Sequence, residues 1–339
     1  MTHDSSRADG EEVGTDGSAA SAASASDTRP AGEPKPDGGY DLETGPAARV
    51  ERDARAETAI ESDRGHAAGS GQWYRQLFVV AETEYRLAVR SRWAIALTAI
   101  FAAFALGLTT FSGSSVSPAG FERVVASLAV LAVYLVPLVA LAFSYDAVVG
   151  REESGWLQTL FALPVSRAWV VLGTVLGRAT VLASATVVGF GVAGGFLLLE
   201  YGVAGFDAYV GFLVGTVGLG LAFLSMGVLL STLAAEKTHA LGFALLLWAW
   251  FVLVHDLLAL GLIAAFGLSE TAVSAIVLAN PTGIFRALVL GTLGAGGDAG
   301  FAALLADTGL SSGVLAAALA AWIVLPTALA TVAIRRRRL

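Results

Sequence analysis

Six stretches of this chain are apolar over bilayer-spanning length, and they constrain the fold more than any other feature. They fall at about residues 93–111, 124–146, 169–199, 208–233, 240–267 and 313–334. A helix of about 20 apolar residues spans the hydrocarbon core, and backbone in lipid must satisfy its own hydrogen bonds, so such runs are read as transmembrane helices. The expected fold is an all-α polytopic membrane protein with six transmembrane helices. The mean hydropathy of +0.70 agrees with that reading.

Residues 1–70 stand apart. They hold 15 Asp or Glu against 7 Lys or Arg, whereas residues 71–339 hold 13 against 14. The net charge of −7 therefore arises in the first segment. That segment has too little large apolar surface to offset its ordering entropy, so it reads as a disordered acidic tail. It has no apolar core like that of a signal peptide, so it is not read as a secretory leader. The membrane domain is expected over 71–339.

Ahead of the first span, residues 73–91 read as a helix lying in the membrane surface. Trp73, Leu77, Val80, Leu87 and Ala88 make an apolar stripe at helical spacing, interrupted by Glu84. Glu82 and Arg86 form an i,i+4 pair on the wet side, and Arg90 and Arg92 mark the edge of the bilayer.

With six spans both ends of the domain lie on one side. That side receives Arg75, Arg86, Arg90, Arg92, Arg151, Arg167, Lys237 and the run Arg335-Arg336-Arg337-Arg338. The other receives only Arg123 and Arg286, with Arg178 inside the third span. The positive-inside rule makes the arginine-rich side cytoplasmic and the protein a multi-pass plasma-membrane protein with both termini inside.

Between the second and third spans, residues 150–168 form a polar loop. Trp156, Leu157, Leu160 and Phe161 share one helical face, and Leu163-Pro164 ends that short helix. It could be a surface that a partner pushes, or a solvated loop whose aromatics rest on lipid headgroups. Between the fifth and sixth spans, residues 268–312 form an outer segment. Residues 269–279 are too few to cross. Asn280-Pro281 supplies an N-cap followed by proline at the first helical position, opening a second short helix through Ile284, Phe285, Leu288 and Val289. A flexible break is expected over 291–300. The two short helices form either a cap or a re-entrant pair.

Catalytic patterns fail in context. Gly189-Phe190-Gly191-Val192-Ala193-Gly194 spells a dinucleotide motif, but it lies inside an apolar span with no strand before it, so helix packing through small residues is expected, as at Gly211 and Gly215. Lys237-Thr238 lacks the second glycine of a P-loop, because Glu236 stands there, so ATP hydrolysis by that route is excluded. Tyr145-Asp146 has no matching G-x-G-D; the nearest sequence is Ala295-Gly296-Gly297-Asp298 in the outer segment. No H-E-x-x-H occurs, and His255 is the single histidine within a span. The chain has no cysteine, and its methionines are Met1 and Met226, so no metal site is expected in it.

Four ionisable groups fall within the spans. Asp146 and Arg178 are expected to pair with each other or with Arg151. His255-Asp256 is either a functional contact or a hydrogen-bonding link between helices.

The run from Tyr145 through Asp146, Gly150, Arg151, Glu152, Glu153 and Gly155, followed by Leu163-Pro164-Val165-Ser166-Arg167 and Leu172-Gly173, resembles the first cytoplasmic loop of type-2 ATP-binding-cassette permeases. Asp256-Leu257-Leu258 and Asn280-Pro281-Thr282-Gly283-Ile284-Phe285-Arg286 resemble the branch associated with maturation of the copper sites of nitrous oxide reductase. Where the family has a Glu-Arg-Glu-like order after the glycine, this chain has Arg151-Glu152-Glu153.

The resemblance covers about residues 73–339 and implies a non-catalytic homodimeric permease working with a separate ATPase that binds the ATP and magnesium. It makes 73–91 an elbow helix and Trp156–Phe161 the coupling helix, with Arg151, Glu152 and Glu153 at its root. An extracytoplasmic copper-maturation protein engaging 269–312 is the further implied partner; no nucleic acid is implied. A generic lipid or drug exporter and a non-transporting scaffold or sensor stay open as alternatives.

Overall fold

The computed structural model describes residues 72–111, 118–155, 166–203, 205–292 and 310–336. The acidic segment 1–70, the coupling-helix residues Trp156, Leu157, Leu160 and Phe161, and most of the expected break at 291–300 lie outside them. Helix α1 (Gln72–Arg90) is followed by α2 (Trp93–Phe111), α3 (Pro118–Ser144), the short α4 (Val149–Glu153), α5 (Arg167–Tyr201) and α6 (Phe206–Leu233). Then come α7 (Lys237–Ala249), a π-helical turn (Trp250–Val254), α8 (His255–Phe266), α9 (Glu270–Leu278), α10 (Pro281–Thr292) and α11 (Ser312–Arg336). Six candidate membrane spans stand among the described residues, and no strand does. This is a multi-pass membrane protein.

The central spans are α3, α5 and α6, which are about half to three-fifths buried within the subunit. The spans of α2, α11 and α7–α8 bury only 17–22% of their length inside it, as expected of helices that face lipid or another chain. An aromatic file joins them: Phe101 lies 5.5 Å from Phe190, Phe190 lies 5.5 Å from Phe212, and Phe212 lies 6.4 Å from Phe285. Close approach rests on glycines, as the sequence led us to expect. A β-carbon at Gly189 would sit 2.5 Å from that of Phe101, and Gly194 lies under the Tyr209 ring. Gly191 faces open space and takes no part.

Two elements depart from simple spans. Helix α1 turns into α2 through Ser91 and Arg92; Arg92 sits in the left-handed region at φ 63°, alone among the described non-glycine residues. Helix α1 then lies along α5 at Gly173 and Gly177, where a β-carbon on Gly177 would stand 2.6 Å from the Ala81 carbonyl oxygen. Helices α9 and α10 meet at 109°, and α10 is largely buried, with Ile284 and Phe285 fully enclosed. They form a sharply bent pair, and α10 continues through Gly291 and Thr292, so any break begins later than expected.

Candidate functional site

The loop that carries the expected coupling helix is rooted in α4, and four helices hold that root. The Val148 and Val149 amides donate to Ser231 Oγ on α6, at 2.9 and 3.2 Å. Glu153 Oε1 accepts from the Lys237 amide at 2.7 Å, placing a carboxylate on the amino end of α7. Arg151 Nη1 donates to Thr174 Oγ1 on α5 at 3.1 Å, and its Nη2 donates to Glu84 on α1.

Glu84 is the pivot. Its residue is 5% exposed and faces two guanidinium groups, Arg151 directly and Arg178 at 3.7 Å. The sequence presented Glu84 as an interruption of the apolar stripe of α1. The structure reverses that: Ala81, Glu84 and Ala88 are the buried face, while Leu87, assigned to the stripe, is 51% exposed. Buried carboxylates persist only when paired and hydrogen-bonded. The signal available in the sequence was helical spacing, since 81, 84 and 88 share one face of α1.

Arg178 extends the cluster. Its Nη1 lies 3.1 Å from Asp146 Oδ1 and donates to the Phe143 carbonyl, and Lys237 Nζ lies 3.5 Å from Asp146 Oδ2. Asp146, Arg151 and Arg178 therefore share one network, with Glu84 joining both arginines. A cleft of about 270 Å³ opens beside it, lined by Glu84, Trp93, Phe143, Asp146, Arg151 and Arg178. Glu152 is half-buried in α4.

A second polar cluster lies near the midpoint of the fifth span. Asn280 caps α10: its Oδ1 accepts from the Thr282 amide and hydroxyl, both at 2.9 Å. That fixes which way the amide points, so Nδ2 is the donor end. It donates to the Phe251 carbonyl at 2.9 Å, faces His255 Nδ1 at 3.0 Å and reaches Asp256 Oδ1 at 3.3 Å. The Phe251 carbonyl is within reach because of the π turn. The His255 amide, which would bond Phe251 at α-helical pitch, bonds the Trp250 carbonyl instead.

Arg286 pairs with Asp256, and Trp322 Nε1 on α11 donates to the Leu278 carbonyl at 3.1 Å, closing the turn of the bent pair. His255, Asp256, Asn280 and Arg286 thus come together. Pro281 occupies the first turn of α10, and Phe285 packs apart from the cluster, on Phe212 and Gly215. No group of three His, Asp or Glu side chains among the described residues is placed to hold a metal ion.

Residues 78–339 match the family described as ABC-2 family transporter protein. The chain belongs to that family. It is an ABC transporter permease, the non-catalytic transmembrane subunit, and an ABC permease works with a partner ATPase. Two curated relatives are each named "Probable ABC transporter permease protein NosY". The one from Pseudomonas aeruginosa is 36% identical over 271 residues, 77% of this chain and 98% of the relative. The one from Stutzerimonas stutzeri is 37% identical over 276 residues, again 77% of this chain and 99% of the relative. In this permease, the polar cluster at the loop root joins α4 to α1 and α5.

Proposed function

We propose that this permease transmits ATP-driven motion from the arginine-rich, cytoplasmic face of a homodimer to an extracytoplasmic partner in the maturation of a copper enzyme. The observation that carries this reading is the fixing of α4 to α1, α5, α6 and α7 through Glu84, Thr174, Ser231 and the Lys237 amide. A displacement of the loop is passed on rather than absorbed locally, because its root is bonded to α5 and α6, two of the candidate membrane spans, as well as to α1 and the start of α7. Coupling needs such a stiff, contiguous connection between two sites.

On this reading Trp156, Leu157, Leu160 and Phe161 enter the ATPase, with Arg151, Glu152 and Glu153 at the base of the contact. The bent pair delivers the motion on the far side, where α9, α10 and the chain up to 312 meet the partner. The copper role is supported by the motif resemblance and by the names of the two NosY relatives. With no cysteine, and with Met1 and Met226 its only methionines, the chain leaves copper binding to the partner.

The test is co-purification in mild detergent. The ATPase should accompany the native permease and be lost with Trp156→Glu, while nitrous oxide reductase from cells carrying that variant should be copper-deficient. An ATPase retained by Trp156→Glu would refute the coupling assignment. A fully loaded reductase in cells lacking the permease would refute the copper role alone.

A further inference from the structure

A groove of about 650 Å³ runs between the last turns of α6 and α11. Its walls are Leu229, Leu233, Leu329, Val332 and Ala333, and Arg336 closes the end where both helices leave the apolar region. Leu233, Leu329 and Val332 are exposed, so no described residue fills the groove. Arg335 and Arg336 are exposed as well, and neither has an acidic partner among the described residues. Glu236, just beyond Ala235, does not line the groove.

An apolar slot that opens sideways between spans and ends in unneutralised guanidinium groups at the membrane boundary has the chemistry of a phospholipid site. The acyl chain would replace bulk lipid contacts along α6 and α11, and an anionic headgroup would meet Arg336, with Arg335 the residue before it in α11. Basic pockets between transmembrane helices hold acidic headgroups for this reason. Arginine is suited to the task because its planar fork binds phosphate oxygens two at a time.

We infer that the groove between α6 and α11 binds one anionic phospholipid, with Arg336 as its headgroup ligand. The site lies apart from the loop root and the bent pair α9–α10, so it stands or falls independently of the coupling role. A second copy of the chain and the acidic segment 1–70 are the competing occupants, and the experiment separates them.

The full-length protein in detergent is incubated with phosphatidylglycerol or with phosphatidylcholine of matched acyl chains, then weighed by native mass spectrometry. One phosphatidylglycerol per subunit should be retained, with about a tenfold preference over phosphatidylcholine. Arg335→Gln/Arg336→Gln should abolish the preference. Val332→Trp, a change at an exposed position that fills the groove, should abolish retention of both lipids. Equal retention of the two lipids by the native protein would overturn the proposal, as would retention unchanged by Val332→Trp. Lipid binding seen only after removal of residues 1–70 would give the groove to the acidic segment. A Val332→Trp variant that loses its dimer while keeping its lipid would give it to a second subunit.

Discussion

Glu84→Gln removes one negative charge from a position where the residue is 5% exposed and two guanidinium groups converge. Removing one member of a buried ion pair costs about 3–5 kcal/mol, because the partner charge is left without compensation. Here the loss should fall at the lower end. Arg178 keeps Asp146 at 3.1 Å and the Phe143 carbonyl, Arg151 keeps Thr174 at 3.1 Å, and the two arginine side chains remain 13% and 16% exposed. The expected destabilisation is about 3 kcal/mol, far above the 0.2–1 kcal/mol typical of exposed pairs.

The assay is reversible unfolding in mixed micelles at increasing SDS fraction, followed by circular dichroism. Arg151→Gln is run alongside, together with the double variant. If Glu84 acts through Arg151, the double variant should be about 2 kcal/mol more stable than the sum of the two single losses predicts. Losses that add to within about 0.5 kcal/mol would refute the pairing, and so would a Glu84→Gln loss below about 1 kcal/mol.

Other expectations follow from the bent pair α9–α10 and the α1 contact. Asn280→Asp should destabilise more than Asn280→Ala in the same assay, although aspartate normally caps as well as asparagine. The new carboxylate would lose the bond to the Phe251 carbonyl and stand against Asp256, whereas alanine costs only the cap and one buried carbonyl, about 2–3 kcal/mol. Asp256→Asn should cost about 3 kcal/mol by stranding Arg286, and Asp256→Leu/Arg286→Met should recover most of it; a double variant no better than the single change would contradict the pairing. Gly177→Val should lift α1 from α5 and cost about 1–3 kcal/mol. Since the protein has no native cysteine, a cysteine pair introduced across that contact should cross-link less efficiently in the valine variant.

The spans were legible because each is a long, predominantly apolar run, and lipid permits few alternatives for such a segment. The start of α10 was legible for a different reason: Asn280-Pro281 states a helix terminus in two letters, and the cap bond is present at 2.9 Å. Glu84 was misread because its partners are remote. Arg151 lies 67 residues away and Thr174 lies 90, and no periodicity in α1 reveals that a cation will face it. The seating of the α9–α10 turn against the fifth span was hidden for a related reason. It depends on a donor–acceptor match between Asn280 and a carbonyl in another helix, and that carbonyl is reachable only through the π turn at Trp250–Val254, which no glycine or proline marks.

That wide turn amounts to one surplus residue inserted in the fifth span. The surplus is absorbed without redirecting the chain: at the wider pitch five residues turn about as far as four do in an α-helix, so His255 and Asp256 keep the azimuth they would have in an unbroken span. What changes is the bonding ladder, in which the His255 amide passes over the Phe251 carbonyl and leaves it to accept from Asn280. Deleting any single position from 250–254 would hand that carbonyl back to the helix and strip the capping asparagine of an acceptor, while both halves of the span stayed aimed as before.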